Sequence, residues 1–191
     1  MRFERYADLL LLWNRTHNLT GLQTLASIGK GLFLDSLLFR SVMPQRPILR
    51  VVDIGAGAGI PGIPLRIVDP SLTLTLVESK RKPVSFLRAL LREIELVDVV
   101  VHHGRAEDII TQYPDLLGEF DVALSRAVGN LGDLVSVAMD YLRPGGVLIS
   151  SGPPAMARSH LENPLPGVEW RSISFKKLGI SRLFALTKKP S

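Results

Sequence analysis

The spacing of apolar and polar positions divides the chain into an N-terminal helical part and a longer part in which strands and helices alternate. Apolar side chains recur at helical spacing over 3–13, and after a polar break a second helical stretch follows over 26–42. From residue 49 onward, short β-branched runs alternate with amphipathic stretches, which indicates a mostly parallel sheet with helices on both faces. We predict strands at 49–54, 72–77, 98–102, 120–125, 146–150, 168–175 and 182–188, and helices at 61–68, 83–94, 106–112 and 131–142.

The two last predicted strands are connected differently from the others. Only Lys176 to Ser181 separates them, and such a short connection requires an antiparallel hairpin. An α/β sheet that is mostly parallel and ends in an antiparallel hairpin is typical of the Rossmann-like methyltransferases that use S-adenosylmethionine (AdoMet), whereas nicotinamide-binding sheets normally lack the hairpin. We therefore expect a single domain, with an N-terminal helical cap over 1–47 and a Rossmann-like core over 48–191.

A glycine-rich loop follows the first predicted strand and organises the rest of the core. Gly55, Gly57, Gly59 and Gly62 fall within eight residues, more glycines than a structural turn requires. Without Cβ atoms, the main chain can turn sharply and approach a bound ligand closely. A strand, a glycine loop and the start of a helix form the ligand-binding crossover of an open α/β sheet.

The residues around this loop favour one class of ligand. Residues 57–62 formally fit the dinucleotide pattern G-x-G-x-x-G, but Asp53 lies at the strand end, where an acid repels a pyrophosphate. An acid there attracts a cationic or amino-bearing ligand, and AdoMet carries both a sulfonium and an ammonium group. No Gly-Lys-Ser/Thr follows, which argues against a P-loop. We predict cofactor contacts at Asp53, Gly55, Gly57 and Gly59.

Polar residues also follow the next three predicted strands, at the edge where an open parallel sheet binds its ligand. Glu78 could accept both hydroxyls of a ribose, from AdoMet or from NAD. Arg105-Ala106-Glu107 could hold an adenine edge, and Ser125-Arg126-Ala127 places a cation beside the reacting end of the ligand. Each has a plainer alternative: a surface acid paired with a lysine, an acid stabilised by a helix dipole, and an ordinary ion-pair partner, respectively.

The balance of charge indicates a polyanionic partner. Lysine and arginine total 23 against 18 acidic residues, a net charge of +5, which favours nucleic acid. Lys80, Arg81 and Lys82 follow the second strand, and Arg88 and Arg92 share a face of the next helix with Arg81. We predict that these five residues form a phosphate-contacting rim beside the cofactor, with a solvated helix face as the alternative.

Several other classes of site lack their signature in the sequence. The chain has no cysteine for a disulfide, thiolate metal site or thiol nucleophile, and its four histidines show no metal-ligand spacing. No serine occupies a G-x-S-x-G elbow. No apolar run approaches the roughly 18 residues that span a membrane, and no signal-peptide pattern is present. We expect no metal, no membrane partner and a cytoplasmic location.

Six motifs occur in an order that resembles a known family. They are Trp13-Asn14-x3-Asn18-Leu19-Thr20, Asp35-Ser36-Leu37, the loop over 53–65 with Pro61 and Pro64, Glu78-Ser79-x2-Lys82, Arg105-Ala106-Glu107 and Ser125-Arg126-Ala127. Together they resemble the GidB/RsmG family of bacterial 16S ribosomal RNA guanine-N7 methyltransferases. The double proline of the loop and the first motif carry the resemblance, since many methyltransferases share the glycines.

The resemblance implies an enzyme that transfers a methyl group from AdoMet to N7 of a guanine in 16S rRNA, with that RNA or the small ribosomal subunit as its partner and a monomeric state. It also implies AdoMet contacts at Gly55, Ile60, Glu78, Ala106, Glu107 and Arg126. Because N7 has a free lone pair and no proton to lose, methylation needs in-line positioning and no general base. Arg126 is expected to act as a positioning group near the methionine end or the guanine O6.

Two positions depart from the family pattern. Gly31 and Leu32 stand where the family usually has Arg-His, and Ser151-Gly152 stands where it has Lys-Gly. The departures lie outside the cofactor loop, so they affect the expected RNA contacts more than the expected cofactor contacts. Three alternatives therefore stay open: an AdoMet-dependent methyltransferase of a different RNA or a small molecule, a nicotinamide-dependent oxidoreductase, and an RNA-binding module without turnover.

Overall fold

The computed structural model describes residues 1–126, 130–151 and 166–191, and within them the chain forms one sheet of seven strands. The strands are β1 (Leu49–Ile54), β2 (Leu72–Glu78), β3 (Val99–His103), β4 (Phe120–Arg126), β5 (Leu142–Ser151), β6 (Val168–Phe175) and β7 (Ile180–Lys188). Their order across the sheet is β3-β2-β1-β4-β5-β7-β6.

Strand direction in the sheet confirms the predicted topology. β1 to β5 are mutually parallel, whereas β7 runs antiparallel to both β5 and β6. β1 pairs with β2 on one side and β4 on the other, with Val51 opposite Leu74 and Val122. Successive strands are thus added on one side of β1 up to β3, and on its other side from β4 onward. The carboxyl ends of β1 and β4 therefore mark the switch point where open α/β sheets bind ligands.

Helices cover both faces of this sheet. They are α1 (Arg2–His17), α2 (Leu25–Ile28), α3 (Asp35–Leu37), α4 (Gly62–Val68), α5 (Arg81–Glu93), α6 (Ala106–Gln112) and α7 (Leu131–Tyr141). Among the described residues, short 3-10 turns occupy Leu38–Ser41, Pro114–Leu116 and Lys176–Leu178. A π-helix over Gly29–Leu34 joins α2 to α3, so the predicted second helix at 26–42 is interrupted by wider and tighter turns.

The first helix is longer than its apolar spacing predicts. α1 continues to His17 and ends at Asn18, whose φ of 49° lies in the left-handed region. Asn14 stays helical while its side chain donates to the Thr20 carbonyl at 2.8 Å and accepts from the Thr20 amide at 2.9 Å. The polar residues at the end of α1 therefore fasten the following loop, and their polarity does not mark a break at residue 14.

β5 begins four residues earlier than predicted, because the C-terminal residues pair with its start. The Gly145 amide donates to the Lys189 carbonyl at 3.1 Å, and the Lys189 amide donates to Gly146 at 2.9 Å. Lys189 Nζ also donates to the carbonyls of Met139 and Leu142, at 2.6 and 2.7 Å, where α7 ends. The predicted loop at 143–145 therefore belongs to the strand.

Two apolar clusters flank the sheet and account for the helices on its two faces. On the cap side, Tyr6, Leu10 and Phe39 pack with Phe86 of α5 and Phe184 of β7, and all five are fully buried. The opposite cluster joins α6 and α7 to the sheet through buried apolar residues that include Ile109, Leu134, Ala138 and Tyr141. In the described part of the chain, no helix is long and apolar enough to cross a membrane.

Candidate cofactor site

The glycine loop leaves β1 at the switch point with its backbone turned toward open space. Gly55, Gly57 and Gly59 have φ values of 74°, 55° and 86°, which side-chain-bearing residues rarely adopt. The Gly57 amide donates to Glu78 Oε2 at 2.8 Å, which fixes the loop to the end of β2. A Cβ built on Gly57 would have no neighbour nearer than the Gly55 carbonyl oxygen at 3.9 Å, so this part of the loop is accessible to a ligand.

Asp53 supports the loop from beneath. Its side chain is fully buried, and its Oδ2 accepts the Gly62 amide at 2.8 Å. Oδ1 is buried without a hydrogen-bond partner, and burial raises the pKa of Asp53 to about 7. A Cβ on Gly62 would lie 2.8 Å from Oδ2, so this glycine makes room for the acid. Asp53 therefore affects the site by holding the loop in place, and its own side chain is not exposed to a ligand.

The other two predicted loop residues have different surroundings. A Cβ on Gly59 would lie 2.5 Å from Ile63 Cδ1, so the space beside Gly59 belongs to the core. Ile60, 7% exposed, lines a cavity of 230 Å³ together with Gly57 and Arg126, and we call it the Arg126 cavity. The Tyr6 hydroxyl donates to the Ala58 carbonyl and connects the loop to α1, a contact that no pattern in the sequence predicted.

Glu78 is a buried acceptor at the end of β2. It is 6% exposed, and its two carboxylate oxygens accept the amides of Gly57 at 2.8 Å and Lys80 at 2.7 Å. These contacts replace the surface pairing with a lysine side chain that was the alternative. Because each oxygen has a second lone pair, Glu78 retains capacity to accept hydroxyl donors. It lines a cavity of 690 Å³ between the loop and the start of α5, which we call the α5 cavity.

A third cavity lies between β1, α6 and α7. This α6 cavity has a volume of 350 Å³ and shares Gly55 with both of the others. Its apolar walls include Ile54, Val77, Leu134 and Val137, and Ala106 and Glu107 stand at its rim. The Glu107 side chain is about half exposed and lies 3.8 Å from Arg105 Nε, so it also fits the alternative of an acid in the first turn of α6.

Arg126 lies at the end of β4, between a buried ion-pair cluster and the Arg126 cavity. Its Nη2 donates to the Gly31 carbonyl at 3.0 Å and lies 3.4 Å from Asp35 Oδ2, an ion pair without hydrogen-bond geometry. Its side chain is 19% exposed, and burial lowers the pKa of Arg126 while Asp35 opposes that shift. Arg126 is thus an ion-pair partner that also lines the Arg126 cavity, and its role as a positioning group stays a prediction.

The second arginine of this cluster, Arg182, was not predicted from the sequence. Arg182 of β7 donates to Asp35 Oδ1 from Nε at 2.8 Å and from Nη2 at 2.5 Å. Asp35 was quoted only as part of a motif, and Arg182 was not singled out at all. A signal was present, because Arg182 occupies the same side of β7 as the buried Ile180 and Phe184, where a charge requires a partner.

The five predicted RNA-contacting residues lie on one exposed surface. Lys80, Arg81 and Lys82 line the α5 cavity, while Arg88 and Arg92 continue along the exposed side of α5. Among the described residues, none of the five has a carboxylate within ion-pair distance. We call this surface the α5 basic face, and its charges have no carboxylate partner in the described part of the chain. Its contact with RNA stays a prediction.

The positions that depart from the family pattern are buried or hydrogen-bonded inside the protein. Gly31 gives its carbonyl to Arg126, Leu32 is buried, and Ser151 is 2% exposed at the end of β5. Ala127 of the Ser125-Arg126-Ala127 motif and Gly152 lie outside the described residues.

Within the ranges that are described, no group of three or more potential ligands is arranged to hold a metal ion.

The sequence of this chain is similar to a family of known proteins. A family model described as GidB, rRNA small subunit methyltransferase G, matches residues 1–151. The chain is similar to the ribosomal RNA small subunit methyltransferase G of Clostridium kluyveri, at 37% identity over 81% of this chain and 65% of the relative. A protein of the same name from Streptococcus pneumoniae is 36% identical over 78% of this chain and 63% of the relative. The chain therefore spans slightly less than two thirds of the length of either relative.

Solved structures share the fold of this chain at low sequence identity. A predicted O-methyltransferase from Agrobacterium tumefaciens matches with a TM-score of 0.63 and 19% identity over 82% of this chain and 81% of that one. TYW2 from M. jannaschii, solved in complex with AdoMet, matches with a TM-score of 0.55 and 17% identity over 78% of this chain and 72% of that one. At such low identity these similarities establish the Rossmann-like fold alone.

Proposed function

Because the chain belongs to the GidB family of rRNA small subunit methyltransferases, we propose that it transfers a methyl group from AdoMet to N7 of a guanine in 16S rRNA. The observation that carries the proposal is the arrangement around Gly55 at the switch point. There the accessible glycine loop, the buried Glu78 carboxylate and the apolar α6 cavity lie side by side. In the proposal, the loop holds the methionine part of AdoMet, the carboxylate holds the ribose, and the apolar cavity holds the adenine.

The residues of the site fit AdoMet better than a dinucleotide. Glu78 has spare acceptor capacity for a ribose diol, and the walls of the α6 cavity suit an adenine ring. Gly57 leaves open the space that a Cβ would take, so a ligand can lie against the loop backbone. A pyrophosphate placed there would approach the Glu78 carboxylate, which accepts from the loop amide that such a phosphate would need.

When bound, AdoMet supplies an electrophilic methyl group on a sulfonium. The chain's own part is to hold the acceptor in line and to exclude water, since N7 already carries a lone pair. Arg126 is suited to the first task, because its guanidinium borders the Arg126 cavity and presents N–H donors beyond the one given to Gly31. We assign it the methionine end or the guanine O6 as its contact, as a positioning group without proton transfer.

The α5 basic face is the proposed contact for the RNA backbone. Lys80, Arg81 and Lys82 border the α5 cavity, so phosphates bound there would lie beside the cofactor. Their positive charges lack carboxylate partners among the described residues, which leaves them available to anionic phosphate oxygens. The small ribosomal subunit, or its 16S rRNA, is the partner that this surface serves in the proposal.

The function is tested by incubating the purified chain with AdoMet and small ribosomal subunits that lack 7-methylguanosine in 16S rRNA. Nucleoside mass spectrometry should then show one 7-methylguanosine gained per subunit, and Arg126→Gln should abolish most of the gain. Calorimetry with AdoMet and with NADH runs in parallel. Binding of AdoMet without 7-methylguanosine would favour another methyl acceptor, and binding of NADH without AdoMet would overturn the proposal.

A further inference from the structure

Two arginines from different strands share one buried carboxylate beneath the Arg126 cavity. Asp35, 2% exposed, receives two N–H groups from Arg182 on Oδ1 and faces Arg126 with Oδ2 at 3.4 Å. Asp35 belongs to the cap, Arg126 to β4 and Arg182 to β7, so the cluster joins three parts of the chain that are distant in sequence. We call it the Asp35 cluster.

The cluster has two arginines for one carboxylate. Burial lowers the pKa of Arg126, and Arg182 adds to that shift, whereas Asp35 and the buried Asp53 oppose it. Both arginines are largely buried, with side chains 19% and 21% exposed. A largely buried guanidinium depends on the few acceptors that it has, so the placing of the Asp35 carboxylate matters to Arg126. The Arg126 cavity is the opening that Arg126 faces.

Arg182 is not needed to fill the core. Its neighbours on the same side of β7, Ile180 and Phe184, are buried apolar residues, and an apolar side chain would pack there without a desolvation cost. Arg182 compensates the buried charge of Asp35, and its Nε–H and Nη2–H groups fill both lone pairs of one carboxylate oxygen, Oδ1. With Oδ1 occupied by Arg182, only Oδ2 remains to face Arg126.

We propose that Arg182 is a positioning residue that acts through Asp35 to hold the Arg126 guanidinium at the mouth of the Arg126 cavity. The proposal rests on the proposed function, in which Arg126 positions the reacting groups. Arg126 has two fixed points, the Gly31 carbonyl and the Asp35 carboxylate, and Arg182 determines the second of them. Arg182 lines none of the three cavities described above, so its effect has to pass through Arg126.

The first test compares Arg182→Lys and Arg126→Lys with the double variant. A lysine keeps the charge but not the two-point contact with Asp35. Arg182→Lys should lower kcat/KM on the order of 10- to 100-fold. It should also divide that loss between kcat and KM in the same proportion as Arg126→Lys. The double variant should be no worse than Arg126→Lys alone. Arg171→Lys is the matched control, because Arg171 is exposed on β6 and pairs only with Glu169 among the described residues.

A second readout does not depend on turnover. In ¹⁵N-labelled protein without ligand, the Arg126 Nε–H resonance should shift or broaden in Arg182→Lys and in Asp35→Asn, and stay in place in Arg171→Lys. If the wild type methylates nothing yet the resonance responds in this way, the proposed function fails and the positioning network stands. An unmoved Arg126 resonance, or kinetic losses that simply add in the double variant, would overturn the proposal.

Discussion

At the scale of single residues, Gly57 is the position where a Cβ would take space that the proposed cofactor needs. A methyl group there would meet no protein atom nearer than the Gly55 carbonyl oxygen at 3.9 Å, so Gly57→Ala should weaken AdoMet binding by tenfold or more through the ligand side alone. Because the backbone φ at this position is 55°, the alanine should also be strained and lower the free energy of unfolding by about 1–2 kcal/mol. Calorimetry and urea unfolding measure the two effects.

Gly118→Ala separates these two effects. Gly118 has a φ of 70° and open space around its Cβ position, and it lies in the loop before β4, away from the cavities. It should lose the same stability as Gly57→Ala and bind AdoMet like the wild type. Equal AdoMet affinity in both variants would show that the cofactor does not lie against Gly57.

Asp53 makes a prediction about pH. Its pKa is about 7 in the folded protein and about 3.9 in an unfolded chain, so the folded state holds a proton that the unfolded state releases between those values. The free energy of unfolding should therefore fall as pH rises from about 4 to 7, by at most about 4 kcal/mol, and level off above. Asp53→Asn cannot titrate and still offers an oxygen to the Gly62 amide, so it should remove this fall in urea unfolding.

Asp69 is the matched control for Asp53. The pKa of Asp69 is lowered, chiefly by its hydrogen bond from the Ser71 hydroxyl. Its contribution to stability is present above about pH 4 and lost only below that value. Asp69→Asn should therefore keep the wild-type slope between pH 5 and 7. If Asp53→Asn keeps that slope as well, Asp53 is ionised in the folded protein.

At the scale of elements, α5 shows how far periodicity carries a prediction. The predicted helix at 83–94 forms over Arg81–Glu93, with Val84, Leu87 and Leu90 buried and the arginines exposed. If the exposed face contacts RNA, Arg88→Ala and Arg92→Ala should each lower the salt slope of binding to small-subunit RNA by roughly 1. Filter binding at several salt concentrations measures it.

The control for α5 is an exposed arginine at the opposite edge of the sheet. Arg171 lies on β6 and already pairs with Glu169, so Arg171→Ala should leave the salt slope unchanged. Unchanged slopes for Arg88→Ala and Arg92→Ala as well would make the α5 basic face a solvated helix face, and would direct the search for the RNA contact elsewhere.

The elements that periodicity misjudged are those that long-range contacts reshape. The cap reads as one helix over 26–42, but its π-helical turn contains Gly31, whose carbonyl is taken by Arg126 from a strand 95 positions away. β5 starts earlier than predicted because the Lys189 backbone pairs with Gly145 and Gly146 near its start. Asp35 and Arg182 are 147 positions apart, so no local pattern could join them. The glycine loop and Glu78 were found because their signals are local.

At the scale of the whole molecule, the last two strands complete the sheet although the family model ends before them. The match covers residues 1–151, whereas β7 lies between β5 and β6 and brings Arg182 and Phe184 to the cap side. Phe184 is fully buried, with its ring centroid 4.8 Å from that of Phe39. The described structure thus depends on a segment that the family model does not cover.

A chain ending at Ser151 tests this dependence. It would expose the β5 edge and remove the partner of Phe39, and loss of a buried phenylalanine contact alone costs about 3–5 kcal/mol. That cost is a large fraction of the stability of a domain this size, so the truncated chain should lose its cooperative thermal transition and aggregate. Removing only Pro190 and Ser191 should leave the transition in place. If the chain ending at Ser151 melts cooperatively and binds AdoMet, the C-terminal hairpin is an addition to a fold that is complete without it.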